Sequence, residues 1–114
     1  MKKHQTPQEK FWAGKFGNKY LKRNKKSIYY KSNKKLFDTA LRKTKNIKSC
    51  IELGAGSGQN LKYLKLKYPK ALLSAVEINK SSVNQIKKII KEKNIYNESI
   101  LKFDSKHKYD LVLT

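Results

Sequence analysis

The chain has 114 residues, 28 of them Lys or Arg and 8 Asp or Glu, for a formal net charge of +20. That length suits one domain with a modest core. No run of 18 apolar residues occurs, and no apolar stretch follows the basic Lys2-Lys3, so neither a membrane-spanning helix nor a secretory leader is expected. The single cysteine, Cys50, excludes a disulfide within the chain and fits a reducing cytoplasm. The positive charge is nearly all Lys, with Arg23 and Arg42 the only arginines, and it is spread along the chain. Arg is the better reader of phosphates and bases, so nucleic acid stays open as a partner but is not favoured.

Thr6-Pro7-Gln8-Glu9 reads as a helix start. Thr6 can cap, Pro7 suits the first helical position and Glu9 completes a capping box. This helix carries Phe11, Trp12 and Phe16 and is expected to break at Gly17-Asn18, with Lys19–Asn24 irregular. A second helix is expected from Ser32 or Asn33 to Lys45, its apolar face formed by Leu36, Phe37, Ala40 and Leu41. Ser49–Leu53 then reads as a strand. A glycine-rich turn follows, and after it a helix with Leu61, Leu64 and Tyr68 at helical spacing that stops ahead of Pro69. A second strand covers Leu72–Ile78. A third helix starts near Ser81 with Val83, Ile86, Ile89 and Ile90, and Asn94 or Asn97 ends that segment. Ser99–Phe103 is expected as a third strand closed by Asp104-Ser105, and Tyr109–Thr114 as a fourth.

This alternation predicts an α/β fold with about four parallel strands, flanking helices and right-handed crossovers. Residues 1–48 form an N-terminal helical segment and residues 49–114 a Rossmann-like half-domain. The chain stops inside a strand pattern, which points to a fragment cut after the fourth strand. The edge of that strand would then invite self-association or a partner.

The glycines carry the functional signal. Strand, Gly54-Ala55-Gly56-Ser57-Gly58 and helix make the opening of a nucleotide-binding βαβ unit. Gly54 allows the sharp turn, Gly56 offers bare backbone to a ligand, and Gly58 lets the next helix pack close to the strand. A dinucleotide fingerprint would need a glycine where Gln59 stands. Glu52 precedes the loop by two residues. Glu77, at the end of the second strand, is placed to grip ribose hydroxyls.

The Glu52-x-Gly54-x-Gly56-x-Gly58 string resembles motif I of the class I S-adenosylmethionine-dependent methyltransferases. The stretch Gln8-Glu9-x-Phe11-Trp12-x-Gly14-x-Phe16-Gly17-x-x-Tyr20-x-x-Arg23-Asn24 looks like the start of the pseudaminic acid biosynthesis-associated methylases, enzymes found with genes for bacterial surface sugars. The resemblance implies S-adenosyl-L-methionine as cofactor. It sets Gly54, Gly56 and Gly58 against the methionine and ribose, and Glu77 against both ribose hydroxyls. It puts Ile78 beside the adenine and Asp104 at its amino group. Glu52 would hold the loop or reach the ligand amino group, while Tyr20 and Arg23 would close over the cofactor. Plainer roles stand beside these: Ile78 as ordinary core, Asp104 as a turn former, Arg23 as a solvated charge. His4 and His107 receive no role, and no Cys/His spacing suggests zinc. The implied reaction is methylation of a small metabolite, such as a bacterial surface sugar or its nucleotide-linked precursor. An RNA methyltransferase and a non-catalytic fragment that binds a partner are the alternatives. No catalytic residue is named, because in this family the acceptor site comes from segments beyond the fourth strand. Removing Glu77 is expected to lower cofactor affinity and leave the empty protein's stability unchanged.

Overall fold

A computed structural model describes residues 4, 6–23 and 27–114, with the backbone alone described for 21–23 and 27–29. Three helices come first: α1 (Pro7–Ala13), α2 (Lys15–Arg23) and α3 (Ser27–Ala40). Strand β1 (Ser49–Leu53), helix α4 (Gln59–Lys67), β2 (Leu72–Val76), α5 (Lys80–Ile86), β3 (Ile95–Tyr96) and β4 (Leu111–Leu113) follow. All strand pairings are parallel and the sheet order is β3-β2-β1-β4. Among the described residues this is the four-stranded parallel α/β arrangement expected from the alternation of elements.

The two central strands are near-continuous apolar runs because both of their faces are covered. Cys50 pairs with Leu73, Ile51 with Ser74 and Glu52 with Ala75. Leu61 and Leu64 from α4, Ile86 from α5 and Ala75 from β2 are all 0% exposed and belong to one core cluster. Burial pushes the Cys50 thiol up to about 11, so this cysteine is an inert core residue. Helix α3 is tied to α4 by the Tyr63 hydroxyl, which donates to Asp38 Oδ1 at 2.7 Å, and by Phe37 stacked on the Tyr63 ring. Lys34 also donates to Asp38, at 2.9 Å.

Several boundaries differ from the sequence reading. The first helix ends at Gly14, whose N–H returns to Lys10 O, and Gly17 lies inside α2. Gly17 is glycine because of crowding: a Cβ there would stand 1.9 Å from Trp12 O. Residues 19–23, expected to be irregular, are helical, and α3 starts and ends about a turn early. The third strand is Ile95–Tyr96, pairing with Ala75 and Val76. The apolar run 99–103 is instead a turn organised by Ser99, whose carbonyl accepts from Lys102 N and Phe103 N while its hydroxyl accepts from Leu101 N. Ile100 and Leu101 are consequently exposed. Strand β4 is shorter than expected at both ends and forms an edge of the sheet.

Candidate functional site

The loop after β1 is stitched to the end of β2. Gly54 N and Ala55 N both donate to Val76 O, at 2.8 and 3.2 Å, and Gly56 N donates to Glu77 Oε1 at 2.8 Å. Gly56 and Gly58 hold φ of 57° and 86°, in the left-handed region that favours glycine. Their surroundings differ. A Cβ on Gly54 or Gly56 would meet nothing within 4 Å, so that backbone faces open space. A Cβ on Gly58 would stand 2.8 Å from Ile89 Cδ1. Gly58 therefore serves close packing as expected, but against the turn after α5 rather than against the strand.

Glu77 is the polar centre. It is buried, and its second oxygen accepts from Asn79 N at 2.7 Å. Burial raises its pKa, while the amides of Asn79, Gly56 and Ile78 stabilise the ionised form and oppose the rise. Each carboxylate oxygen has more than one lone pair, so further donors can be accepted from the cavity side. Asn97 Nδ2 donates to the Glu77 and Ile78 carbonyls and fixes the strand end.

Glu52 lies apart from this group. Its Oε2 accepts from Asn60 Nδ2 at 2.7 Å, and Asn60 Oδ1 accepts from Asn33 Nδ2 at 3.2 Å. Its other oxygen is buried and has no hydrogen-bond partner among the described residues. Burial pushes the Glu52 carboxyl up to about 7; the Asn60 contact opposes this and the charge of Glu77 adds to it. The expected bond from Glu52 to a loop amide is replaced by this link to α4, because the loop amides point to β2 and Glu77 instead.

A cavity of about 420 Å³ opens over the loop. Gly54, Gly56, Ser57, Glu77 and Ile78 form its sheet side, Trp12, Gly17 and Tyr20 its helical side, and Glu98 to Leu101 one end. The structure thus brings together Gly54, Gly56, Glu77, Ile78 and Tyr20 from the sequence reading. Glu52 and Gly58 are buried away from the lining. Asp104 is exposed beyond the Ser99 turn and does not reach the cavity, because the strand expected to end at it lies upstream at Ile95–Tyr96. The Arg23 side chain and the whole of Asn24 lie outside the described residues.

Sequence reasoning missed Trp12, Asn79 and Glu98. Glu98 sits two residues past β3, so correct placement of that strand would have found it. Trp12 belongs to an aromatic set in which its ring centroid lies 5.4 Å from Phe11, 5.8 Å from Phe16 and 5.3 Å from Tyr20. Three of the chain's 8 acids, Glu9, Glu77 and Glu98, line the cavity, and among the described residues no Lys or Arg does. On a chain of net charge +20 this is a local reversal of sign. Among the described residues no cluster of His, Cys, Asp and Glu could hold a metal ion, and no helix is long and apolar enough to cross a membrane.

Comparison with known proteins agrees with this geometry. The plantazolicin methyltransferase BpumL in complex with SAH matches with a TM-score of 0.68 and 21% identity over 91% of this chain and 43% of its own. The sugar N-methyltransferase KedS8 from Streptoalloteichus sp ATCC 53650 gives 0.63 and 16%, over 90% and 40%. Coclaurine N-methyltransferase bound to N-methylheliamine and SAH gives 0.61 and 18%, over 73% and 26%. The chain therefore spans less than half the length of these proteins, and the likeness is one of fold. No curated protein sequence matches. Residues 46–112, more than half the chain, match the family Methyltransf_4, described as "Putative methyltransferase", and the chain belongs to that family.

Proposed function

We propose that this chain is the S-adenosylmethionine-binding part of a methyltransferase acting on a small molecule, with a bacterial surface sugar or its nucleotide-linked precursor as the acceptor class. One observation carries the reading. The Glu77 carboxylate is held by two backbone amides directly beside glycine backbone that faces open space. A nucleoside fits this arrangement. Its ribose hydroxyls would donate to a carboxylate already oriented, in charge-assisted bonds, while the bare loop lets the ligand approach to contact distance. Ile78, Ile100 and Leu101 supply apolar lining for a flat base.

The sign of the lining supports a cationic ligand over an anionic one. Bound S-adenosylmethionine supplies an electrophilic methyl group on a sulfonium. The residues of this chain orient the ligand and exclude water, which is most of what such a transfer requires. The acidic lining favours a positive charge within the cavity. SAH in the BpumL and coclaurine N-methyltransferase structures supports the cofactor. The aromatic-rich stretch 8–24 and the sugar substrate class of KedS8 support the acceptor. Tyr20 and Trp12, on the opposite side of the cavity from Glu77, would close over the cofactor with rings that have an apolar body and a polar tip.

Calorimetric titration with S-adenosylmethionine, S-adenosylhomocysteine and NAD tests the cofactor. Binding of the first two is expected, and binding of NAD alone would overturn the reading. Incubating the protein with amino sugars, nucleotide sugars and RNA, and following transfer of labelled methyl, tests the acceptor. Labelled RNA with unlabelled sugars would replace the proposed class.

A further inference from the structure

Asn79 occupies a junction that the functional reading leaves unexplained. It is 2% exposed, yet its polar atoms are all paired. Its N–H donates to Glu77 Oε2 at 2.7 Å, and its carbonyl accepts from Val83 N at 3.0 Å. The side-chain Oδ1 accepts from Ser82 N at 2.9 Å and so caps α5. Nδ2 donates to Trp12 O and to Asn18 Oδ1, both at 2.9 Å. Trp12 is in the last turn of α1, and Asn18 lies in α2.

One residue thus touches α1, α2, α5 and the carboxylate at the centre of the site. The chemistry needed is specific to an amide: one acceptor for the cap and two donors for the arm. Asp or Ser could cap α5 but could not supply both donors. The other side of the junction is equally constrained. Gly17 is buried there, and a Cβ on it would stand 1.9 Å from Trp12 O and 2.8 Å from Asn79 Nδ2.

We propose that Asn79 is a positioning residue that docks the α1–α2 arm against the strand end carrying Glu77, so that closure of the arm and grip on the ligand strengthen each other. The second half of this rests on the cofactor reading above. A ligand held by Glu77 on one side and by Trp12 and Tyr20 on the other spans both bodies. It therefore binds the docked arm better than the loose one, and by linkage favours the docked state. Undocking removes both acceptors from Nδ2, and a buried amide left without partners resists that movement.

Trp12 is the only tryptophan, so its emission reports on the arm alone. Amide hydrogen exchange over residues 7–20 and Trp12 emission are to be measured with and without S-adenosylhomocysteine in the wild type, Asn79→Asp and Gly17→Ala. Asn79→Asp keeps the cap on α5 and the backbone bond to Glu77 but loses both donors. In the ligand-free protein both variants should lose protection over residues 7–20 and shift Trp12 emission to the red. Affinity for S-adenosylhomocysteine should fall about tenfold or more, the loss of one to two buried hydrogen bonds. Unchanged ligand-free protection and emission in both variants would overturn the docking role. A loosened arm with unchanged affinity would overturn the coupling. Should Asn79→Asp fail to fold, Gly17→Ala reaches the same junction without altering Asn79 or Glu77. A wild type that ignores the ligand would refute the cofactor reading and the coupling, while ligand-free exchange still decides whether Asn79 holds the arm.

Discussion

The two walls of the cavity are built from opposite materials. The sheet wall rests on β1, β2 and α4, where Cys50, Leu61, Leu64, Ala75 and Val76 are all fully excluded from water. The arm wall rests on α1 and α2, where Phe11 is 46% and Tyr20 45% exposed despite their size. Both walls are rich in apolar groups, but only the first uses them for close packing. The arm packs aromatic rings on one another, Phe11 stacked on Phe16 at 4.0 Å, and makes polar contacts to Asn79. Burial therefore marks the wall that carries stability, while the arm leaves large aromatic rings half in solvent.

Substitutions can break this contrast. Leu64→Ala empties a fully buried site in the sheet wall and should cost about 2–5 kcal/mol of stability in urea unfolding. A loss below about 1 kcal/mol would show that the core tolerates collapse there. Glu77→Ala comes next. The structure corrects the expectation that only affinity would suffer, because Glu77 also satisfies the amides of Gly56 and Asn79 in the empty protein. Removing it should cost on the order of 2–4 kcal/mol, about 1–3 for the buried Asn79 amide and less for the half-buried Gly56 amide, together with at least tenfold in S-adenosylhomocysteine affinity. Unfolding and calorimetry on the same variant separate the two effects.

Glu52 sharpens the comparison through pH. Its pKa in the folded protein, about 7, lies above its ordinary value of 4.5, so the folded state binds the proton more tightly. Its stabilising contribution is complete below pH 4.5 and is lost as pH rises to about 7. Glu52→Gln should flatten that decline and stabilise the protein at pH 8 by on the order of 2 kcal/mol. A wild type whose stability does not fall across this window would contradict the buried, half-partnered carboxyl. The smallest effect is expected on the arm wall. Phe11→Ala should change unfolding stability by about 0.5 kcal/mol or less, as surface substitutions do, while still shifting Trp12 emission through the lost edge contact.

The sequence was most legible where the signal is local and dense. β1, the glycine loop and β2 are contiguous patterns, and Glu77 follows from its place at a strand end. β3 was misplaced because two residues, Ile95 and Tyr96, carry no periodicity, whereas Ser99–Phe103 looks like a strand. Ser99 overrides that apolar run by accepting from the amides of Leu101, Lys102 and Phe103. The break at Gly14 was misassigned to Gly17 because a buried glycine required by Trp12 O looks the same in sequence as one required by a turn. Asn79 could not be identified at all. Its partners Trp12 and Asn18 are 67 and 61 residues away, and no local pattern marks such a contact.

The stitching of the glycine loop has a consequence for how the molecule acquires its site. Gly54, Ala55 and Gly56 all take their shape from acceptors at Val76 and Glu77, about a whole β-α-β unit further along the chain. The loop cannot hold its final form in a chain that has only made β1 and α4. It forms with the crossover, when β2 lies alongside β1 in register. A ligand of the loop therefore binds a completed β1–α4–β2 unit and not its precursors. At a ligand concentration 100-fold above Kd, such binding adds about 2.7 kcal/mol to the stability of that unit. The rise of Tm with cofactor concentration then reports the affinity of the assembled loop for its ligand.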